Sequence, residues 1–277
     1  METDLTPVTW GNILLQLLRK KDIEGRIKFA ETPDLPDFVY IELASDEEAE
    51  VVQAVLNNPA LSTRLLNQIL PDVRPWQFND VLIRSLSETH PDLHEEAVRN
   101  LLGASAQWET YILVSRHANV PTRPLVKSIS EMAKHVTPEA ITELATRILQ
   151  KHPFEPADFP WEDILKTSKV SFFLSSPAFP VAALEFWARQ HAQKVQDHPR
   201  NLAYHLVGQV MLHPNASPVV WDCFLKSAVF MRRDAGWDFQ VLAPLLKRPD
   251  LYSDQKALIE SYIRLKSKKT GSHRPPV

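Results

Sequence analysis

Six glycines and one cysteine in 277 residues close off several classes of protein at once. A Rossmann fold, a phosphate-cradling loop or a sheet of tight hairpins spends glycine where the backbone turns through positive φ, and six are too few. Cys223 alone excludes an internal disulfide framework and any site built from several thiolates. No Gly-x-Ser-x-Gly or His-Glu-x-x-His pattern occurs. The start, METDLTPVTW, is acidic where a secretory leader is basic, and no apolar stretch follows it. The most lipid-like segment, residues 171–188, is interrupted by Pro177, Pro180 and Glu185, so we expect a buried helix with a broken entry. A net charge of −3 gives no general pull towards nucleic acid. These absences describe a soluble protein, expected in the cytoplasm.

What the chain does have is proline, 22 of them, arranged in a pattern. Thr32-Pro33-Asp34-Leu35-Pro36 aligns with Asn58-Pro59-Ala60-Leu61-Ser62, and then with His90-Pro91-Asp92-Leu93 and His117-Ala118-Asn119-Val120-Pro121. His213-Pro214-Asn215-Ala216-Ser217 and Arg248-Pro249-Asp250-Leu251 repeat it further on. The intervals are those of helical solenoid units. A helix ends before each pair, because proline disfavours helical geometry in the residue ahead of it. The apolar residue that follows (Leu35, Leu61, Leu93, Val120) tucks the link under the core, and a proline, serine or threonine opens the next helix. Expected apolar faces are Phe38, Ile41 and Leu43, then Leu65, Leu66, Ile69 and Leu70, then Ala97, Val98, Leu101 and Leu102. One such pair of helices cannot cover its own apolar face and must stack on its neighbours.

The stretch FAETPDLPDFVYIELASDEEAEVVQAVLNNPALSTRLLNQILPD resembles the leucine-rich repeat variant family, whose short helical units are related to HEAT and armadillo arrays. The resemblance rests on Ala30-Glu31-Thr32-Pro33 as a degenerate entry, the leucine and proline after it, and Leu43-Ala44-Ser45-Asp46 closing the helix. It covers residues 26–130, is patchy over 131–206 and returns over 207–265. It implies an all-α protein, an α-α superhelix or right-handed solenoid, as one array over residues 1–265. Some family members carry an iron–sulfur cluster on an N-terminal cysteine-rich segment; this chain lacks those cysteines, so no cofactor is expected. Residues 6–20 read as an opening, capping helix with Val8, Ile13, Leu14, Leu17 and Leu18 on its apolar side. Residues 137–152, with Thr137 as N-cap and Pro138 after it, give the plainest helix, and 152–165 a proline-rich connection. Residues 266–277 are expected to form a disordered basic tail.

The candidate chemistry is thin. His90, His152, His198 and His213 precede prolines and could form a ladder of imidazoles, though a histidine closing a helix suits the last carbonyls and the dipole there. Cys223, beside Trp221 and Asp222 and near His213, lacks a defended base and reads as a small buried hydrophobe. Asp46-Glu47-Glu48-Ala49-Glu50 suits the start of a helix, or a docking patch for a basic partner. Arg19-Lys20-Lys21, Arg232-Arg233 and the tail (Arg264, Lys266, Lys268, Lys269, Arg274) could hold a phosphate backbone if they shared a surface. Of the tryptophans Trp10, Trp76, Trp108, Trp161, Trp187, Trp221 and Trp237, most should space helix layers, while one or two left exposed would anchor a partner. We therefore assign no catalytic, metal or cofactor residues and expect a non-enzymatic scaffold binding a protein or peptide on its concave face, without membrane insertion. One alternative is a nucleic-acid-binding HEAT-like protein, similar to the HEAT-like alkylpurine DNA glycosylases, with Trp108, Trp187 and Asp222 or Asp234 as its candidates. Another is a structural subunit of a larger assembly.

Overall fold

The computed structural model describes residues 7–166, 168–197, 203–226 and 239–269. Helices and turns account for these residues, and no strand occurs among them. No helix among them is long and apolar enough to cross a membrane. The chain divides into two compact units, Met1–Leu125 and Val126–Val277.

The first unit holds α1 (Pro7–Arg19), α2 (Ile23–Ala30), α3 (Asp37–Ala44), α4 (Ala49–Leu56), α5 (Thr63–Ile69), α6 (Asp80–Thr89), α7 (Glu95–Ala104) and α8 (Trp108–Val114). Two 3-10 turns, Leu70–Asp72 and Pro75–Gln77, lie between α5 and α6. Each helix packs on the one two places along: α1 on α3, α3 on α5 and α5 on α7 make one row, and α2, α4, α6 and α8 make the other. Single-turn caps fix where the helices begin. Asp22 accepts from the Gly25 N–H, Ser62 from that of Leu65 and Asn79 from that of Leu82, each satisfying a donor the helix leaves open. Leu65, Leu66, Ile69, Leu70, Ala97, Val98, Leu101 and Leu102 are all buried, as their spacing predicts.

On α3 the burial differs from the expected face. Val39, Tyr40, Leu43 and Ala44 are buried, whereas Phe38 and Ile41 are exposed. The helix is apolar nearly all round, so periodicity does not set its rotation. Tyr40 does: its hydroxyl donates to Thr32 O (2.7 Å) and accepts from the Leu35 N–H (3.3 Å), turning Phe38 outwards. On α1, Leu18 is buried but Ile13 and Leu17 are exposed.

The second unit contains α10 (Pro138–Lys151), α11 (Trp161–Ile164), α12 (Val170–Leu174), α13 (Val181–Asp197), α14 (Ala203–Leu212), α15 (Pro218–Leu225), α16 (Phe239–Leu246) and α17 (Ser253–Lys269); α9 (Thr122–Met132) precedes them. The alternation recurs, with α10, α12, α14 and α16 in one row and α13, α15 and α17 in another. Thr137 caps α10 through the Ala140 N–H (3.4 Å). The lipid-like segment is two helices, α12 and α13, parted at Ser175–Pro180. Residues 266–269, expected in the tail, continue α17; residues 270–277 lie outside the described residues.

The repeated links have a shared geometry that explains their sequence. Within a link the fourth N–H bonds the first carbonyl: Leu61 to Asn58, Val120 to His117, Phe179 to Ser176 and Ala216 to His213. The first side chain accepts from the third N–H, as Asn58 Oδ1 does from Ala60 (2.9 Å), Ser176 Oγ from Ala178 (3.2 Å) and His213 Nδ1 from Asn215 (3.1 Å). Side chains then reach back to carbonyls of the preceding link. Asn58 Nδ2 donates to Ala30 O (2.8 Å) and Thr32 O (3.1 Å), Asn119 Nδ2 to Leu93 O (2.8 Å), and Asn215 Nδ2 to Pro177 O and Phe179 O (2.8 and 2.9 Å). Arg248 performs the same task with a guanidinium, reaching His213 O and Pro214 O (2.9 and 3.0 Å) while lying 4.9 Å from the centre of the Trp221 ring.

His213 makes the equivalence of asparagine and histidine explicit. Its Nδ1 accepts where Asn58 uses Oδ1, and its Nε2 lies 3.1 Å from Ser176 O where Asn58 uses Nδ2. Either side chain presents an acceptor and a donor a short distance apart.

Candidate interaction surface

The link between α5 and α6 is longer than its counterparts, and the added residues are pinned at many points. Asn100 Nδ2 donates to Leu70 O and Val73 O (2.6 Å each). Gln77 is buried; its Nε2 donates to Asp46 O (2.8 Å) and its Oε1 accepts from the Arg74 N–H (3.0 Å). Gln53 on α4 donates through Nε2 to Gln77 O (2.9 Å) and accepts from Asn79 Nδ2 (3.1 Å). Val73 and Phe78 are buried beneath. Between these anchors Trp76 stands 59% exposed, and Val81 at the start of α6 is 79% exposed. An indole left in water on a turn held by these bonds forgoes ~2 kcal/mol or more of burial.

The same hydrogen bonds place that turn beside the acidic run. Asp46 is held by Arg26 (Nε–Oδ2 2.7 Å, Nη2–Oδ1 3.3 Å) and accepts from the Glu48 N–H (3.0 Å). Glu48 is the N-cap of α4 and Glu50 lies in its first turn, where negative charge suits the helix dipole. Glu47 and Glu50 are exposed, Glu48 is half-buried, and none of the three forms an ion pair among the described residues. Glu50 sits one turn before Gln53 on α4, so its side chain shares the face on which Gln53 holds the turn.

The remaining sequence candidates do not assemble. His90 Nδ1 lies 3.1 Å from Thr63 Oγ1, His152 closes α10, His213 bridges two links as above, and His198 lies outside the described residues. Among the described residues no three of His, Cys, Asp and Glu are grouped as a metal would require. Cys223 is half-buried, and burial pushes its thiol up, against the opposing pull of Arg189; it is a thiol, not a thiolate. His213, its nearest nominated base, spends both nitrogens on backbone groups. Asp222 is committed to Lys226 (2.7 Å) and Gln255 (2.7 Å).

Arg19 pairs with Glu42 (2.7 Å) beside exposed Lys20 and Lys21, and Arg264 with Glu260 (3.3 Å). Arg232, Arg233, Asp234 and Arg274, and the side chains of Lys266, Lys268 and Lys269, lie outside the described residues. Trp161, Trp187 and Trp221 are buried, and Trp187 is stacked on His191 at 4.2 Å, so Trp187 offers no ring face to a nucleotide. Trp108 meets Tyr111 edge-on at 5.6 Å. The side chains of Trp10 and Trp237 lie outside the described residues. Sequence reading missed how Trp76 is held. The available signal was spacing: His90 follows Asn58 by 32 residues where its neighbours lie 26 or 27 apart. Comparison with family models, with curated proteins and with solved structures finds no match.

Proposed function

We propose that this chain is a non-enzymatic helical repeat scaffold, of the leucine-rich repeat variant or HEAT-like kind, that binds a protein or peptide partner through the Trp76 turn. The observation that carries the reading is Trp76 itself, an exposed indole on a turn fixed by part-buried side-chain hydrogen bonds. Rigid aromatic anchors give the largest share of interface energy because little entropy is lost when they are covered. The alternating rows and the links that grip their predecessors are what stacked units of a solenoid would require, and they support that architecture.

The test is a capture experiment with the tagged chain and its Trp76→Ala variant in host lysate, with and without nuclease. A stoichiometric protein retained by the parent after nuclease and lost by the variant, with both unfolding within ~0.5 kcal/mol of each other, is the expected outcome. Recovery of nucleic acid, with bound proteins lost after nuclease, would put the DNA- or RNA-binding alternative first. That alternative has one observation in its favour: residues 126–277 carry 20 Lys and Arg against 15 Asp and Glu.

A further inference from the structure

We infer that the segment seated on the Trp76 turn is a cationic stretch of another polypeptide, with lysine or arginine flanking an apolar residue or proline that packs on the indole. The inference rests on the reading of that turn as the docking surface and adds the chemistry of its occupant. The bond from Gln77 to Asp46 O fixes the turn that carries the indole beside the acidic connection, and the bond from Gln53 to Gln77 O fixes that turn against α4, which bears Glu50. Arg26 pairs with Asp46, and Glu47, Glu48 and Glu50 form no ion pair among the described residues. Asp72 and Arg74, both exposed on the turn, offset one another.

Carboxylates by themselves would be an ordinary solvated face. Beside an indole that a partner must cover, they become selective. A neutral or acidic segment pressed over Trp76 would partly dehydrate them and return nothing, whereas lysine or arginine would pair with them as water leaves. The surroundings reinforce the sign. Residues 1–125 carry 19 Asp and Glu against 11 Lys and Arg, a formal charge of −8, which draws cations in and turns phosphate away.

The full-length chain is panned against a displayed library of random 12-residue peptides, and the enriched peptides are titrated onto the parent, Trp76→Ala and Glu47→Lys/Glu50→Lys forms. The expected result is enrichment of net-positive peptides whose affinity falls at least ~tenfold in either variant and falls again with added salt, while circular dichroism shows all three forms equally helical and fully folded at the binding temperature. Peptides that need Trp76 but are neutral or acidic, or are indifferent to the charge reversal, overturn the inference and leave the docking surface standing. If no peptide depends on Trp76, both fall. A synthetic peptide of residues 264–274 of this chain is included; if it binds more tightly than every library peptide, the occupant is a second copy and the assignment to another polypeptide is overturned.

Discussion

His213 shows what one side chain does for the fold. It accepts at Nδ1 from one link and donates at Nε2 to the link before it, so it must be neutral, with its proton on Nε2. Burial holds its pKa below the usual value, the Ser176 bond opposing and the Arg248 guanidinium reinforcing this. His117 is likewise held low by burial, its Nδ1 on Pro91 O and its Nε2 buried without a hydrogen-bond partner among the described residues. Because the folded pKa values lie below the unfolded ~6.5, the unfolded chain takes up protons first as pH falls. The histidines' contribution to stability is therefore whole above pH ~6.5 and drains away below it, down to their folded pKa values. Urea titrations at stepped pH should show that decline. His213→Ala should cost about 2–4 kcal/mol at neutral pH, since a buried carbonyl and N–H lose their partners. His213→Asn should restore most of that and flatten part of the acid-side decline.

Among the elements, the sequence made some legible and concealed others, for physical reasons that can be named. Proline marks the links because it dictates backbone geometry locally, and Ser62 and Thr137 mark helix starts because capping is local too. The rotation of α3 was hidden, since it depends on a bond from Tyr40 to a carbonyl eight residues back. The link at Ser176-Pro177-Ala178-Phe179-Pro180 was hidden as well. Serine and phenylalanine stand there where Asn58 and Leu61 stand earlier, and only the matching hydrogen bonds identify it. Trp76 was visible as one of seven tryptophans, but its exposure follows from contacts of Gln77 and Gln53 that no local pattern announces. Near the end of α7, Gly103 is exposed, and a Cβ placed there would meet nothing within 4 Å. Gly103→Ala should raise stability by about 0.5–1 kcal/mol, chiefly by restricting the unfolded chain, as a shift in the urea midpoint without a change in slope.

Taken as a whole molecule, the near-neutral balance conceals an uneven distribution. The net charge of −3 is the remainder of −8 on residues 1–125 and +5 on residues 126–277. A protein of such small net charge ordinarily binds one exchanger weakly or neither. This one should be retained at pH 7 and low ionic strength by both an anion and a cation exchanger, and released from each by modest salt, because a surface binds through its local field. Elution from both columns in the void volume would show that the charge is evenly mixed at the surface.

The grip between links also has a direction. In each case described, the reaching side chain belongs to the later link and the accepting carbonyl to the earlier one: Asn58 to Thr32, Asn119 to Leu93, Asn215 to Phe179, Arg248 to His213. Within each unit the run of links thus has a head of donors and a tail of acceptors, like couplings that close one way round. Two copies brought together by matching ends would oppose donor to donor or acceptor to acceptor. If links of this kind were used to join molecules end to end, the join would be head to tail and without a two-fold axis, and it would grow into a ring or a filament instead of stopping at a pair.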